Sequence, residues 1–282
     1  MKIAVSTEST SDLTKELIDK YDVKVIPYNI VHGDVMFKDG EMTTEELLNL
    51  SESSGVLPKT NALNEFEYTE YFENIKKDYD AIIHICLSGG ITSSCGNAIR
   101  AAKNLENVYV VDSLSLSMGS GLLVLYACEL VRQGLGVKEV FDKVSARVSS
   151  VVTTFVIEKL NYLYKGGRCN SLQLLGANIL KLRPRINLLD GVMKNDKKYR
   201  GSMGAVIGKY ATELFEDYNS PCLDNVAICY TTATDEMIKA ATEVCKNIGF
   251  KNIYYGRCGA TIASHCGEHT LGILFINDGK TI

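Results

Sequence analysis

The stretch from Leu87 to Ala98 reads LSGGITSSCGNA, with hydroxyl side chains at Ser88, Thr92, Ser93 and Ser94 and adjacent glycines at 89 and 90. The preceding DAIIHIC is apolar and rich in isoleucine, and the following NAIRAAKNL is rich in helix formers. A small polar loop is therefore expected between a strand and a helix. In an open parallel sheet, ligands bind beyond the carboxyl ends of the strands. Glycines let backbone N–H groups approach a ligand, and the helix behind adds about half a positive charge. An anion suits such a place. The same residue types also make an ordinary capped turn that holds nothing.

The anion is not marked as a nucleotide phosphate. No GxxxxGK[ST] run is present, and Gly119-Ser120-Gly121-Leu122-Leu123-Val124 lacks the third glycine of a dinucleotide fingerprint. A carboxylate asks for only two or three donors.

A second constellation is Ala263-Ser264-His265-Cys266-Gly267-Glu268-His269. His265 and His269 have the i, i+4 spacing of a helical metal pair, but Gly267 and the β-rich flanks argue against a helix there. No partner cysteine or carboxylate cluster has metal-ligand spacing, so no metal is expected. His265 is instead a candidate donor to a bound carboxylate. A hydrolase built on Ser94 or Cys95 with His265 is a rival reading, although no GxSxG elbow occurs. Lys165-Gly166-Gly167-Arg168 reads as a turn with a glycine at positive φ, and Lys198-Tyr199-Arg200 as a solvated strand end. Either could form a positive rim for an acidic partner.

The elements that position these residues alternate in the first half. Strands are expected at Lys2–Ser6, Val23–Val31, Ala81–Leu87 and Val108–Val111. Helices are expected from a Ser11-Asp12 cap to Lys20, from Thr43 to Ser53, from Asn64 to Lys77, after the loop to Leu105, near Gly121–Gln133 and near Lys138–Ser149. Repeated βα units with continuously apolar strands imply a parallel sheet covered on both faces. From Val151 onward the pattern changes. A strand at Val151–Ile157, a helix over residues 171–182 and a hairpin turning at Asp190-Gly191 come first. The helix Met203–Tyr218, strand Val226–Tyr230, helix Glu236–Asn247 and strands Asn252–Tyr255 and Gly272–Phe275 follow, implying a mixed sheet. The fold class is α/β with two domains, 1–150 and 151–282.

The composition is that of a globular chain, 46% hydrophobic and 23% charged over 282 residues with a net charge of −4. That balance gives no basis for nucleic-acid binding; the densest basic run, KNDKKYR at 194–200, is read as a solvated turn. The most apolar window, GLLVLYACELV, contains Glu129 and is too short to span a bilayer. With no signal-peptide pattern, a cytosolic protein is expected. The nine cysteines have no CxxC spacing and are expected to be buried thiols.

Several motifs in order resemble the DegV family of bacterial fatty-acid-binding proteins. Ser6-Thr7-Glu8-Ser9-Thr10-Ser11-Asp12-Leu13 resembles its TDSTxDL start, and Pro58-Lys59-Thr60-Asn61 its PxTS stretch. Ser88–Ser94 resembles SSGLSGT, and Val110-Val111-Asp112-Ser113 with Gly119 and Gly121 resembles VIDSxxxSxGxG. Leu163–Arg168 resembles LxKGGR, Arg183-Pro184, Asp190-Gly191 and Lys198-x-Arg200 the IKP…DG…KxR series, and Ser264–Gly267 the HTGPG loop. The resemblance implies two α/β domains with a long-chain fatty acid buried between them. It implies no catalysis and no cofactor, with the carboxylate presented to a separate fatty acid kinase that makes an acyl phosphate; a lipid sensor without a kinase is the alternative. Thr60, Asn61, Thr92, Ser93 and His265 match the positions around the carboxylate, and Arg168 and Arg200 match basic residues suited to partner docking. The chain departs at Glu8, Asn61, Leu63, the ITSS of the loop, and Gly267-Glu268-His269; Glu268, if it points inward, should weaken anion binding.

Overall fold

The computed structural model describes residues 1–169 and 182–281. The helix expected over 171–182 lies almost wholly outside the described residues. Two large sheets and one small one carry the fold. The first is parallel, in the order β2 (Lys24–Ile26), β1 (Ile3–Glu8), β6 (Ala81–Cys86), β7 (Val108–Asp112). The second is mixed and six-stranded, in the order β10 (Val192–Tyr199), β9 (Arg183–Leu189), β8 (Val151–Val156), β13 (Leu271–Ile276), β11 (Asn225–Tyr230), β12 (Asn252–Arg257). Only β11 and β12 pair in parallel there. The α/β class with a parallel and a mixed sheet is as the sequence predicts.

Helix α5 (Met118–Arg132) joins the two sheets, packing on β1 and β6 on one side and on β8, β11 and β13 on the other. It holds the most apolar window of the chain, and it is buried nearly all round, as a helix between two sheets must be. Its Gly119-Ser120-Gly121 is a packing device. A Cβ at Gly119 would lie 2.1 Å from Ser115 Oγ and 2.3 Å from Thr153 Oγ1, and one at Gly121 would lie 2.9 Å from the Ser11 carbonyl. One core runs through both sheets around α5. A second lies beyond the mixed sheet, under α8 (Met203–Asp217) and α9 (Asp235–Ile248).

Four local readings change. Pro27 and Tyr28 split the expected strand Val23–Val31 into β2 and β3 (Asn29–His32), because proline cannot donate to a ladder. β3 then joins a small antiparallel sheet with β4 (Val35–Lys38) and β5 (Lys59–Asn61). Ser11 and Asp12 do not cap the first helix: Thr14 caps α1 (Lys15–Tyr21), and Asp12 sits at φ 50° and turns elsewhere. The run 194–200 forms most of β10 rather than a turn, since Lys194 to Tyr199 pair along β9 with one bulge near Asp196. Ala260–Cys266 is a helix, α10, ended by Gly267 at φ 70°. Gly267, which argues against a helix in the sequence, is its C-terminal boundary.

The β9–β10 hairpin tip is seated on the loop that follows β6. Ser88 Oγ donates to the Gly191 carbonyl at 2.7 Å, and a Cβ at Gly90 would lie 2.5 Å from that same oxygen. Only glycine fits this backbone approach. Gly90→Ala is expected to lower the urea midpoint by an amount equivalent to ~1–3 kcal/mol, with the slope of the transition unchanged.

Candidate ligand-binding cavity

A narrow cavity opens beyond the carboxyl ends of the parallel strands, enclosing about 490 Å³ including its mouth. Tyr28 enters it after β2, Leu87, Ile91 and Thr92 after β6, and Leu116 after β7. Thr60 and Ala62 come from the β5 side, Met193 from β10, and Thr261, Ile262, His265 and Cys266 from α10. Arg168 stands exposed at its edge, after α7 (Leu160–Gly166). The lining is mostly apolar, with a few polar groups gathered from distant parts of the chain.

Of the residues singled out in the sequence, Thr60, Thr92, His265 and Arg168 meet here. Asn61 and Ser93 do not line the cavity, and both are exposed. Successive residues on a strand face opposite sides, so β5 cannot turn both Thr60 and Asn61 inward. Ser93 precedes α4 (Ser94–Ala102) and faces solvent, while Ser94 beside it is buried. Arg200 is exposed at the end of β10, away from the lining.

The loop itself is already hydrogen-bonded. The Gly89 amide donates to Asp112 Oδ1 at 3.1 Å and the Gly90 amide to Ser88 Oγ at 3.1 Å. The Ile91 and Thr92 amides donate to the Ser88 carbonyl at 3.1 and 3.3 Å, and the Ser94 amide to Thr92 Oγ1 at 3.2 Å. These amides are therefore not the cradle for an anion that the glycines suggest. Asp112 also accepts from the Leu114 amide at 3.0 Å, so the VVDS segment serves to brace this loop. Thr92 Oγ1 donates to Ser94 Oγ at 3.1 Å, and Ser94 Oγ accepts from the Leu63 amide at 3.0 Å.

His265 Nε2 lies 2.8 Å from Thr60 Oγ1. Its Nδ1 is buried without a partner, against Gly166, where a Cβ would come within 2.6 Å. With the proton on Nε2, the imidazole donates to Thr60 and leaves the Thr60 proton for a ligand. A proton on Nδ1 would be a buried donor with nothing to receive it, the costlier arrangement. Burial, reinforced by the Arg168 guanidinium, pushes the His265 pKa down to about 4, so the ring is neutral at physiological pH.

The helix that carries His265 is held by the N-terminal half. Asp12 Oδ1 accepts from the Gly259 amide at 2.8 Å, and Oδ2 from Ser117 Oγ at 2.5 Å. Asp39 accepts from the Ala260 amide at 2.9 Å and from Ser9 Oγ at 2.9 Å. Two carboxylates thus sit at the amino end of α10, where the backbone offers unpaired N–H groups. The far end is tied by the altered segment. Glu268 pairs with Lys159, and His269 Nδ1 lies 2.5 Å from Glu158, which also binds Arg183 at 2.8 Å. Glu268 is not in the cavity lining and has its own counter-ion.

The groups of the rival readings have other partners among the described residues. His265 is hydrogen-bonded to Thr60 and His269 to Glu158. Ser94 is held in the loop network, and Cys95 is buried beside the Cys86 thiol. Among the described residues the only trio with metal-ligand spacing is Glu8, His84 and Cys86, sealed in the core. Its carboxylate is already taken by the Tyr68 hydroxyl and by the Leu87 amide at 2.6 Å.

A family model described as "Uncharacterised protein, DegV family" matches residues 2–278. The chain belongs to the DegV family. Its two-sheet architecture agrees with the solved DegV structures. That of DegV from Bacillus subtilis, described as a fatty acid binding protein, superposes with a TM-score of 0.87 at 25% identity, covering 99% of this chain and 100% of that one. A DegV family protein from Thermus thermophilus, also described by its fatty acid binding, superposes with a TM-score of 0.90 at 23% identity, covering 99% and 100%. A DegV domain-containing protein of Staphylococcus aureus is 28% identical over 283 residues, 98% of each chain. Among the described residues no helix is long and apolar enough to cross a membrane.

Sequence reasoning missed Tyr28 and Thr261. Both residues line the cavity, and their hydroxyls are buried without a full hydrogen bond. A tyrosine in a β-rich run and a threonine in an apolar run look like core in a sequence.

Burial, with Asp39 nearby, pushes the Asp12 carboxyl up to about 7, against the opposing effect of its Gly259 and Ser117 donors. The folded chain then holds this proton more tightly than the unfolded one. The contribution of Asp12 to stability is full below the ordinary carboxylate range and is lost as pH rises through about 7. Thermal melts should therefore show a fall between pH 5.5 and pH 8 in the wild type that is reduced in Asp12→Asn.

Proposed function

We propose that this protein is a non-catalytic carrier of a long-chain fatty acid. The observation that carries the reading is the cavity: an apolar lining that ends in a cluster of hydroxyls and a neutral imidazole. Each methylene buried in such a lining contributes about 0.8 kcal/mol. An ionised head group cannot be buried without donors; Thr60, whose oxygen accepts from His265 Nε2–H, has its own proton to give, and Thr92 lies in the same lining. Family membership and the fatty acid binding described for the Bacillus subtilis DegV support the same ligand class. In this reading residues 1–150 carry the carboxylate loop and residues 151–282 close the acyl-chain tunnel. Asn61 and Ser93 border the site from its solvent side rather than from within.

The carboxylate lies near the edge marked by Arg168, where a partner can reach it. A fatty acid kinase that converts the bound acid to an acyl phosphate is the partner proposed, with Arg168 and Arg200 on the docking side. The carrier works in the cytoplasm and needs no cofactor, and the carboxylate chemistry belongs to the partner.

Lipid extraction of the purified protein should yield a C14–C18 acid, the range of the family resemblance, and delipidated protein should take up labelled oleate. Protein that is empty and takes up none overturns the proposal. Thr92→Val combined with His265→Leu should weaken oleate binding at least about tenfold, the loss expected when donors to a charged group are removed.

A further inference from the structure

Resting on the fatty-acid reading, we infer that Tyr28 and Thr261 are specificity-determining donors that select an ionised carboxylate over neutral lipids. The other polar groups of the cavity are at least partly committed. Thr92 donates to Ser94, and His265 and Thr60 share one hydrogen bond. The amides of Gly89, Gly90, Ile91, Thr92 and Ser94 all have acceptors within the protein. Tyr28 Oη and Thr261 Oγ1 have none, although their residues are only 2% and 3% exposed. A buried hydroxyl without a partner costs free energy, and such groups in a folded protein await a ligand or an ordered water.

Tyr28 and Thr261 both line this cavity, and their backbones are linked through Asp39. The Tyr28 carbonyl accepts from the Asp39 amide at 2.8 Å, and the Asp39 carboxylate accepts from the Ala260 amide at 2.9 Å, next to Thr261. Thr261 and His265 are one helical turn apart on α10. Tyr28 adjoins Asn29, which pairs with Asn61 beside Thr60. The hydroxyls of Ser94 and Thr92 interact with the Tyr28 hydroxyl as weak donors, too long or too bent to count as full hydrogen bonds, so the Tyr28 proton itself has no acceptor. Burial raises the Tyr28 pKa well above its usual value, so the phenol keeps its proton and remains a donor. A carboxylate has about four acceptor positions and no proton to offer, so it can take more than one hydroxyl donor. An alcohol offers one oxygen and brings a proton of its own.

The test measures binding of oleate and of oleyl alcohol to delipidated protein for wild type, Tyr28→Phe, Thr261→Val and Thr261→Ser. Wild type is expected to prefer oleate. Tyr28→Phe and Thr261→Val should each cut oleate affinity about tenfold and lower the oleate-to-alcohol preference, because donors to a charged group are worth more than donors to a neutral one. Thr261→Ser, which keeps the hydroxyl, should retain the wild-type preference. A packing defect would lower both affinities together and leave the preference at its wild-type value, which overturns the assignment. Wild type that binds oleate no better than the two hydroxyl-deleted variants do also overturns it, with the fatty-acid reading intact. Wild type that binds no oleate overturns that reading and the assignment together.

Discussion

Asp12 holds the amide of Gly259, and the α10 wall of the cavity depends on that contact. Helix α10 contributes Thr261, Ile262, His265 and Cys266 to the lining, yet it has only seven residues and no side-chain cap of its own. A helix that short is not stable alone. Its amino end is supplied by Asp12 and Asp39 from the other half of the chain, and its outgoing segment is tied by Glu268 to Lys159 and by His269 to Glu158. The N-terminal STESTSDL segment thus serves the site without entering it. The cost is visible at Asp12, a buried carboxylate beside a second acid, and at Ser117, which reaches it from a backbone at φ 52°.

The division of labour between backbone and side chains follows from the loop after β6. Its turn is closed by Ser88, Asp112 and Thr92, so its shape is fixed and its amides are spent. What remains to meet a ligand is a ring of hydroxyls on rigid supports. Hydroxyls suit a carboxylate that must stay bound yet remain available, since they pair with the charge without the deep electrostatic well of a buried cation. The neutral His265 is consistent with that, and Arg168 keeps its charge at the solvent edge.

The parallel sheet was legible because Ile3–Ser6 of β1 and all of β6 but His84 are apolar or small, and the loop was legible because glycines and hydroxyls interrupt that pattern at Ser88. Thr60, Thr92 and His265 could be reached through motif order. Asn61 and Ser93 could not be separated from them, because strand side and helix phase are fixed by tertiary contacts rather than by composition. α10 was hidden by its own glycine boundaries. Tyr28 was hidden because an unpaired hydroxyl is a property of surroundings, and no spacing rule announces it.

Asp12 and Gly259 are 247 positions apart, and Ser88 and Gly191 are 103 apart. Contacts of such separation are slow to form and late to be rewarded. During synthesis the parallel sheet can be complete while the cavity has neither its α10 wall nor its hairpin lid. The site therefore comes into being as the last event of folding, and a ligand there stabilises only the finished molecule.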